Sequence, residues 1–246
     1  MKFFRDKLYE DITIPAPPKD DIGEAAEVKR LIANRTAEQE KSIADHDEVP
    51  FYAIKKYCDD NKMMFHKDEF KDIIYGATDT INYFKDKFDR KRPIEVDKTL
   101  DTSPSKTNKT PSYPSGHAAQ SRIVARYVAG KFPEHEANLI EAGNECGYGR
   151  VLAGFHYPSD YEAGNLLGEK MYKLMNKENY IKEMKTFKTF MESIIDIPRS
   201  TYAPGVFDGA DSKNPKIKSS VMAMIDKQVK EFEKEYPVIE IGLIGS

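Results

Sequence analysis

The sequence predicts an all-α protein, and three observations carry that prediction. Apolar residues recur at three- and four-residue steps over the clearest periodic stretch, residues 65–88. Helix-start signals, Thr36 with Gln39 and Ser159 with Glu162, stand ahead of apolar runs. No set of alternating apolar and polar residues reads as strands. The chain has 246 residues, enough for one large domain or for a domain with an appendage. No window reaches the roughly 18–20 unbroken apolar residues of a membrane helix. A net charge of -3 argues against a nucleic-acid binder, which would carry a basic surplus.

Taken in order, Arg5, Asp6 and Lys7 follow directly on Phe3 and Phe4, so no apolar core of a secretory signal forms. On sequence alone the chain stays in the cytoplasm, unless a leader was removed before this numbering begins. Residues 11–20, with Pro15, Pro17 and Pro18, read as an extended arm, and the pattern turns helical from Asp21. Thr36 and Gln39 form a capping box for a helix through about Asp45. In 65–88, Phe70, Ile73, Ile74, Ala77, Ile81, Phe84 and Phe88 make one buried stripe. Pro93 disfavours helix at Arg92 and ends that element nearby. Residues 97–114 are polar and turn-rich, a loop. Helical patterning resumes after Gly116 and stops near Gly130 and Pro133. A helix over about 134–152 contains Gly143, Gly147 and Gly149, whose cost to helix stability points to close backbone packing. Ser159 and Glu162 open a helix to about Met175, with Leu167, Met171 and Leu174 inward. Residues 1–195 form the main domain. Residues 196–215 read as a linker, 216–235 as an amphipathic helix, and the apolar end as a short strand or docking tail. Cys58 and Cys146 read as buried free thiols, with a long-range disulfide left open.

Three segments carry chemistry: Lys85 with Arg92-Pro93, then Pro114-Ser115-Gly116-His117, then Arg150 with His156 and Asp160. Singly, each has an ordinary reading as solvated cations, a turn opening a helix, or a local helix contact. Together they supply what hydrolysis of a phosphate monoester needs. Phosphoryl oxygens carry about two negative charges at neutral pH, and positioning with electrostatics does most of the work in their transfer. Lys85, Arg92 and Arg150 offer three cations, the arginines with planar forks. Ser115 adds a hydroxyl, and the Gly116 amide stands at a helix start, which favours an anion. A neutral His156 attacks phosphorus through one ring nitrogen while Asp160 holds the proton on the other. His117 protonates the leaving alkoxide. His46, within Asp45-His46-Asp47, lacks a second cluster to make a metal site, and His66 and His135 read as exposed polar residues.

This set resembles the signature of the type 2 phosphatidic acid phosphatase superfamily, which includes soluble class A bacterial acid phosphatases, membrane lipid phosphatases and vanadium haloperoxidases. The proline-containing arm, Arg35-Thr36, Ser112-Tyr113-Pro114-Ser115-Gly116-His117 and Gly147-Tyr148-Gly149-Arg150 look like the class A group. The resemblance covers about residues 12–185. It implies a helical bundle of the acid phosphatase and haloperoxidase type, acting as a broad-specificity phosphatase through a phosphohistidine. By the same resemblance Lys85, Arg92, Ser115, Gly116 and Arg150 bind phosphate, His156 is the nucleophile, Asp160 its partner and His117 the acid. It further implies no metal or other cofactor, a small phosphorylated substrate, often a homo-oligomer, and usually export; the expectation of no nucleic-acid partner and no integral membrane segment comes instead from the charge balance and the lack of a long apolar run. The family commonly has Ser before the third-segment Arg; Gly149 stands there instead, which is expected to weaken phosphate binding. Competing readings are a vanadium-dependent haloperoxidase, against which the short chain and absence of Trp count, a peripheral lipid phosphatase, and a phosphate-binding scaffold without turnover.

Overall fold

The computed structural model describes residues 3–64 and 67–175, with Ala223 and Lys227, both helical, beyond them. The chain divides into two compact units, Met1–Met175 and Asn176–Ser246. The domain boundary expected at 195, the linker and the C-terminal tail lie outside the described residues, as does the C-terminal helix apart from Ala223 and Lys227.

The first unit is all-α, and no strand occurs among the described residues. A short 3-10 turn, Leu8–Asp11, leads into the arm, which Tyr113 holds by donating its hydroxyl hydrogen to the Pro15 carbonyl at 2.7 Å. Helix α1 is Asp21–Ala33, its first turn capped by the Asp20 carboxylate on the Gly23 amide. Helix α2, Ala37–His46, opens on the reciprocal Thr36–Gln39 capping box. Helix α3, Tyr52–Asp60, carried no start signal, because Phe51 at its N-cap provides no side-chain hydrogen bond and only Ile54 and Cys58 are buried. Tertiary contact, not local propensity, holds so short a helix.

Helix α4, Lys67–Phe88, carries the stripe into the main core: Phe70, Ile73, Ala77, Ile81 and Phe84 are buried, with Ile74 and Phe88 packed at its margin. Each fully buried Ile or Phe among them contributes about 1.5–3 kcal/mol by leaving water. Helix α5 is the single turn Pro93–Val96, followed by the loop to Ser115. Helices α6, Gly116–Lys131, and α7, Glu136–Leu152, lie against each other at small residues. A Cβ on Gly143 would meet Ala125 at 3.2 Å and the Ser121 carbonyl at 3.3 Å. Helix α8, residues 158–175, crosses α6 more tightly still: a Cβ on Gly164 would lie 2.5 Å from the Ser115 carbonyl oxygen. That crossing holds the start of α6 beside the start of α8.

One expected cap is placed differently. Helix α8 begins at 158, so Ser159 lies inside it and donates its hydroxyl hydrogen to Glu24 of α1. Asp160 reaches back to the Tyr157 amide at 3.0 Å and does the capping instead.

Candidate active site

Lys85 sits in the last turn of α4 and is 4% exposed. The helix stops because Asp89 adopts a left-handed φ of 42°, its amide donating to the Lys85 carbonyl at 2.8 Å. The chain turns back and delivers Arg92 in extended conformation before Pro93. Lys85 Nζ donates to the Pro111 carbonyl at 2.5 Å, and Arg92 donates to the Thr110 and Phe155 carbonyls at 2.9 and 2.8 Å. The loop before α6 thus folds over two buried cations and neutralises part of their hydrogen-bonding demand.

Ser115 is the N-cap of α6, accepting from the Ala118 amide at 3.4 Å, while its own amide donates to the Asp160 carbonyl at 2.9 Å. The amides of Gly116 and His117 have no partner among the described residues. They are first-turn groups at the positive end of a 16-residue helix. A Cβ on Gly116 would lie 3.7 Å from Lys85 Cε, so this helix start is packed directly over the lysine. His117 Nε2 lies 3.0 Å from the Asp47 carbonyl. A carbonyl only accepts, so Nε2 carries the proton and Nδ1 is the nitrogen left for exchange.

Arg150, in the last turn of α7, is 1% exposed. Its Nη1 donates to Asp47 Oδ1 at 2.6 Å, its Nη2 to Thr107 at 2.9 Å, and its plane lies 4.4 Å from the Phe155 ring centre. The fork is therefore partly occupied, whereas the sequence suggested two free forks. Arg150 Nε is buried without a partner, and Arg92 Nη2 has none among the described residues. These two donors, the unspent Lys85 proton and the two α6 amides are what remains for an anion.

His156 is buried in the turn between α7 and α8, its Nδ1 3.2 Å from Asp160 Oδ2. Asp160, fully buried, also accepts from the Ser112 hydroxyl, the Tyr157 amide and Arg90 Nη1. With Asp160 paired to Arg90, Nδ1 donates and Nε2 keeps its lone pair. Burial, then Arg92, Lys85, Arg150 and His117, hold the His156 imidazolium well below the usual range, so the ring stays neutral into acid. The same interactions show that all three cations and both imidazoles share one field. Burial and Arg92 push Lys85 down to about 7, and burial and Arg150 push His117 to about 3. Arg92 is lowered to about 10 by burial and Arg150. Burial raises the Asp160 carboxyl against the pull of Ser112 and Arg90.

Three residues at this place were missed in the sequence. Asp47 takes hydrogen bonds from Ser105, the Lys106 amide, Thr107 and Arg150. Burial opposes its ionisation, but those bonds hold it well below the usual carboxylate range. Ser112 was quoted only for its motif, and Arg90 was passed over beside Arg92. Asp47 and Arg90 meet partners roughly 70 to 100 residues away, which no local pattern announces. Among the other histidines, His46 has both nitrogens engaged, by the Ser42 carbonyl and the Ala53 amide. His135 is half-buried on the Tyr57 hydroxyl at 2.9 Å, not exposed; His66 lies outside the described residues. Cys58 and Cys146 are buried free thiols. No cluster of three metal-ligating side chains occurs among the described residues, nor any helix long and apolar enough to cross a membrane. A Cβ at position 149 would meet only Ile43 of α2, at 3.8 Å. Position 149 therefore has room for a side chain beside α2.

Residues 73–177 match the family model of the PAP2 superfamily, a span that contains all eight residues singled out above. An acid phosphatase of Zymomonas mobilis is 35% identical over 92 residues, covering 36% of this chain and 35% of its own length. Non-specific acid phosphatases of Salmonella typhi and Providencia stuartii are 42% and 36% identical over 57 and 62 residues, 23% and 25% of each chain. The chain thus spans about a third or less of the length of the curated relatives it matches. A solved transmembrane PAP2-type phosphatidylglycerolphosphate phosphatase from Bacillus subtilis is 15% identical with a TM-score of 0.47, covering 67% of this chain and 88% of the other.

Proposed function

We propose that this protein is an acid phosphatase of the class A type, hydrolysing phosphate monoesters through a phosphorylated His156 without a metal ion. The observation that carries the reading is the state of His156. It is a buried, neutral imidazole with Nδ1 on Asp160 and a free Nε2, set among three cations that each keep a donor unspent.

A phosphate ester enters with its oxygens on Lys85, Arg92, Arg150 and the Gly116 amide, beside Ser115. The Nε2 lone pair forms the N–P bond as the ester P–O bond breaks, its electron pair leaving with the alkoxide. Asp160 compensates the charge that develops on the imidazole. His117 delivers a proton to the alkoxide from its non-Asp47 nitrogen. Empty, that ring is held neutral at mild acidity, so the incoming dianion must raise its pKa before it acts as an acid. Water then attacks phosphorus, passes its proton to His117, and the N–P electrons return to the imidazole. The α6 dipole and the cations stabilise the equatorial oxygens throughout.

The test is hydrolysis of p-nitrophenyl phosphate in the presence of EDTA at acidic to neutral pH. Full activity with chelator and none in His156→Ala is expected. His117→Ala should slow alkyl phosphates far more than p-nitrophenyl phosphate, whose leaving group needs no proton. Loss of activity on chelation, restored by a divalent cation, would contradict the reading.

A further inference from the structure

We propose that Arg90 is a positioning residue for the reaction: it holds Asp160 ionised and turned toward His156, and it is itself held by two carboxylates of α1. The inference rests on the role assigned to the His156–Asp160 pair above.

The geometry is a chain of contacts running inward. Arg90 has a 2% exposed side chain, and its guanidinium lies 3.9 Å from the Tyr157 ring centre. Nη1 donates to Asp160 Oδ1 and to the Ser159 hydroxyl, both at 2.7 Å. Nε donates to Asp21 Oδ1 at 2.9 Å and Nη2 to Glu24 Oε2 at 2.5 Å. Glu24 also accepts from the Ser159 amide and hydroxyl, tying α1 to the first turn of α8. Asp160 Oδ1 is thereby fixed, which leaves Oδ2 facing His156, Ser112 and the Tyr157 amide. Five donors in a rigid fork make this arrangement specific to arginine.

Among the described residues, charged groups face Asp160 from three sides. Arg90 touches it, Lys85 and Arg92 act on it from the site side, His156 donates to it, and Asp21 and Glu24 temper the Arg90 charge. Removing the Arg90 cation makes Asp160 more basic. The dyad then takes up its first proton at higher pH, whether on carboxyl or imidazole. A carboxylate beside an arginine is typically lowered by about one to three pH units, which sets the size of the effect.

The experiment is the pH profile of kcat for p-nitrophenyl phosphate in wild type, Arg90→Met, Arg90→Lys and Glu24→Gln, with 15N NMR of the His156 ring. Arg90→Met is expected to lower kcat about 10- to 100-fold, as for partners once removed from a reacting group. It should move the acidic limb up by about one unit or more and mix the His156 tautomers. Arg90→Lys should keep the limb near wild type with part of the rate. Glu24→Gln should move the limb down, because Arg90 is less compensated. If Arg90→Met is too unstable to assay, the Lys and Gln variants still decide. A wild-type limb and tautomer in all the folded variants would overturn the inference, even with reduced rates. If His156→Ala keeps full activity, the parent reading fails instead.

Discussion

Lys85 has the titration most exposed to experiment. Its pKa of about 7 means that the free protein loses one cradle charge as pH rises through neutrality. The kcat/KM for a phenyl phosphate should therefore fall above about pH 7, and Lys85→Arg should move that alkaline limb upward, measured from initial rates across pH 5–9. Asp47 is the second residue with a large expected effect. It is the counter-charge of the buried Arg150 and, through its carbonyl, the anchor of His117. Removing one partner of such a pair costs about 3–5 kcal/mol, so Asp47→Ala should show that loss in urea melts, together with weaker inorganic phosphate binding. The Asp47 carboxyl is depressed in the fold, so its stabilisation is complete above the unfolded carboxylate pKa and is lost as pH falls below it.

At the scale of elements, the α7 glycines separate into two kinds. Gly143 is pressed against α6, whereas Gly149 meets nothing closer than Ile43 at 3.8 Å. Gly149→Ala should raise stability by about 0.5–1 kcal/mol through helix propensity and leave the phosphate Kd within about twofold, since it makes no new contact to the cradle; calorimetry and denaturation check both parts. Helix α4, the Thr36 cap and the loop before α6 were legible because each is announced by neighbours in sequence. The α3 helix was not, since tertiary packing rather than a cap sustains it. The Ser159 cap misled because Ser159 is claimed by Glu24, far away in the chain, while Asp160 takes over the capping.

For the whole molecule, the same division explains what the sequence showed of the site. The residues nearest an anion stood in three compact motifs. Their supports, Asp47, Arg90 and Ser112, were hidden because ion pairs and hydrogen bonds between segments far apart in the chain leave no periodic trace. Gathering Lys85, Arg92 and Arg150 in one buried place works against the fold until an anion arrives. Because the folded Lys85 pKa is depressed, the unfolded chain binds the extra proton between about 7 and the ordinary lysine value. Stability of the empty protein should rise with pH over that window. Lys85→Met should raise Tm at pH 6 while weakening phosphate binding, and inorganic phosphate at 100 times its Kd should add about 2.7 kcal/mol to the wild type. Differential scanning calorimetry with and without phosphate reads both effects.

The most direct measurement is capture of the covalent intermediate. Wild-type protein mixed with a phosphate ester is quenched in alkali within milliseconds, digested and sequenced by mass spectrometry. A phosphoryl group on the peptide containing His156, absent in His156→Ala, is the expected result. Rapid turnover with that peptide unmodified, or turnover by the alanine variant, would contradict nucleophilic attack by this imidazole.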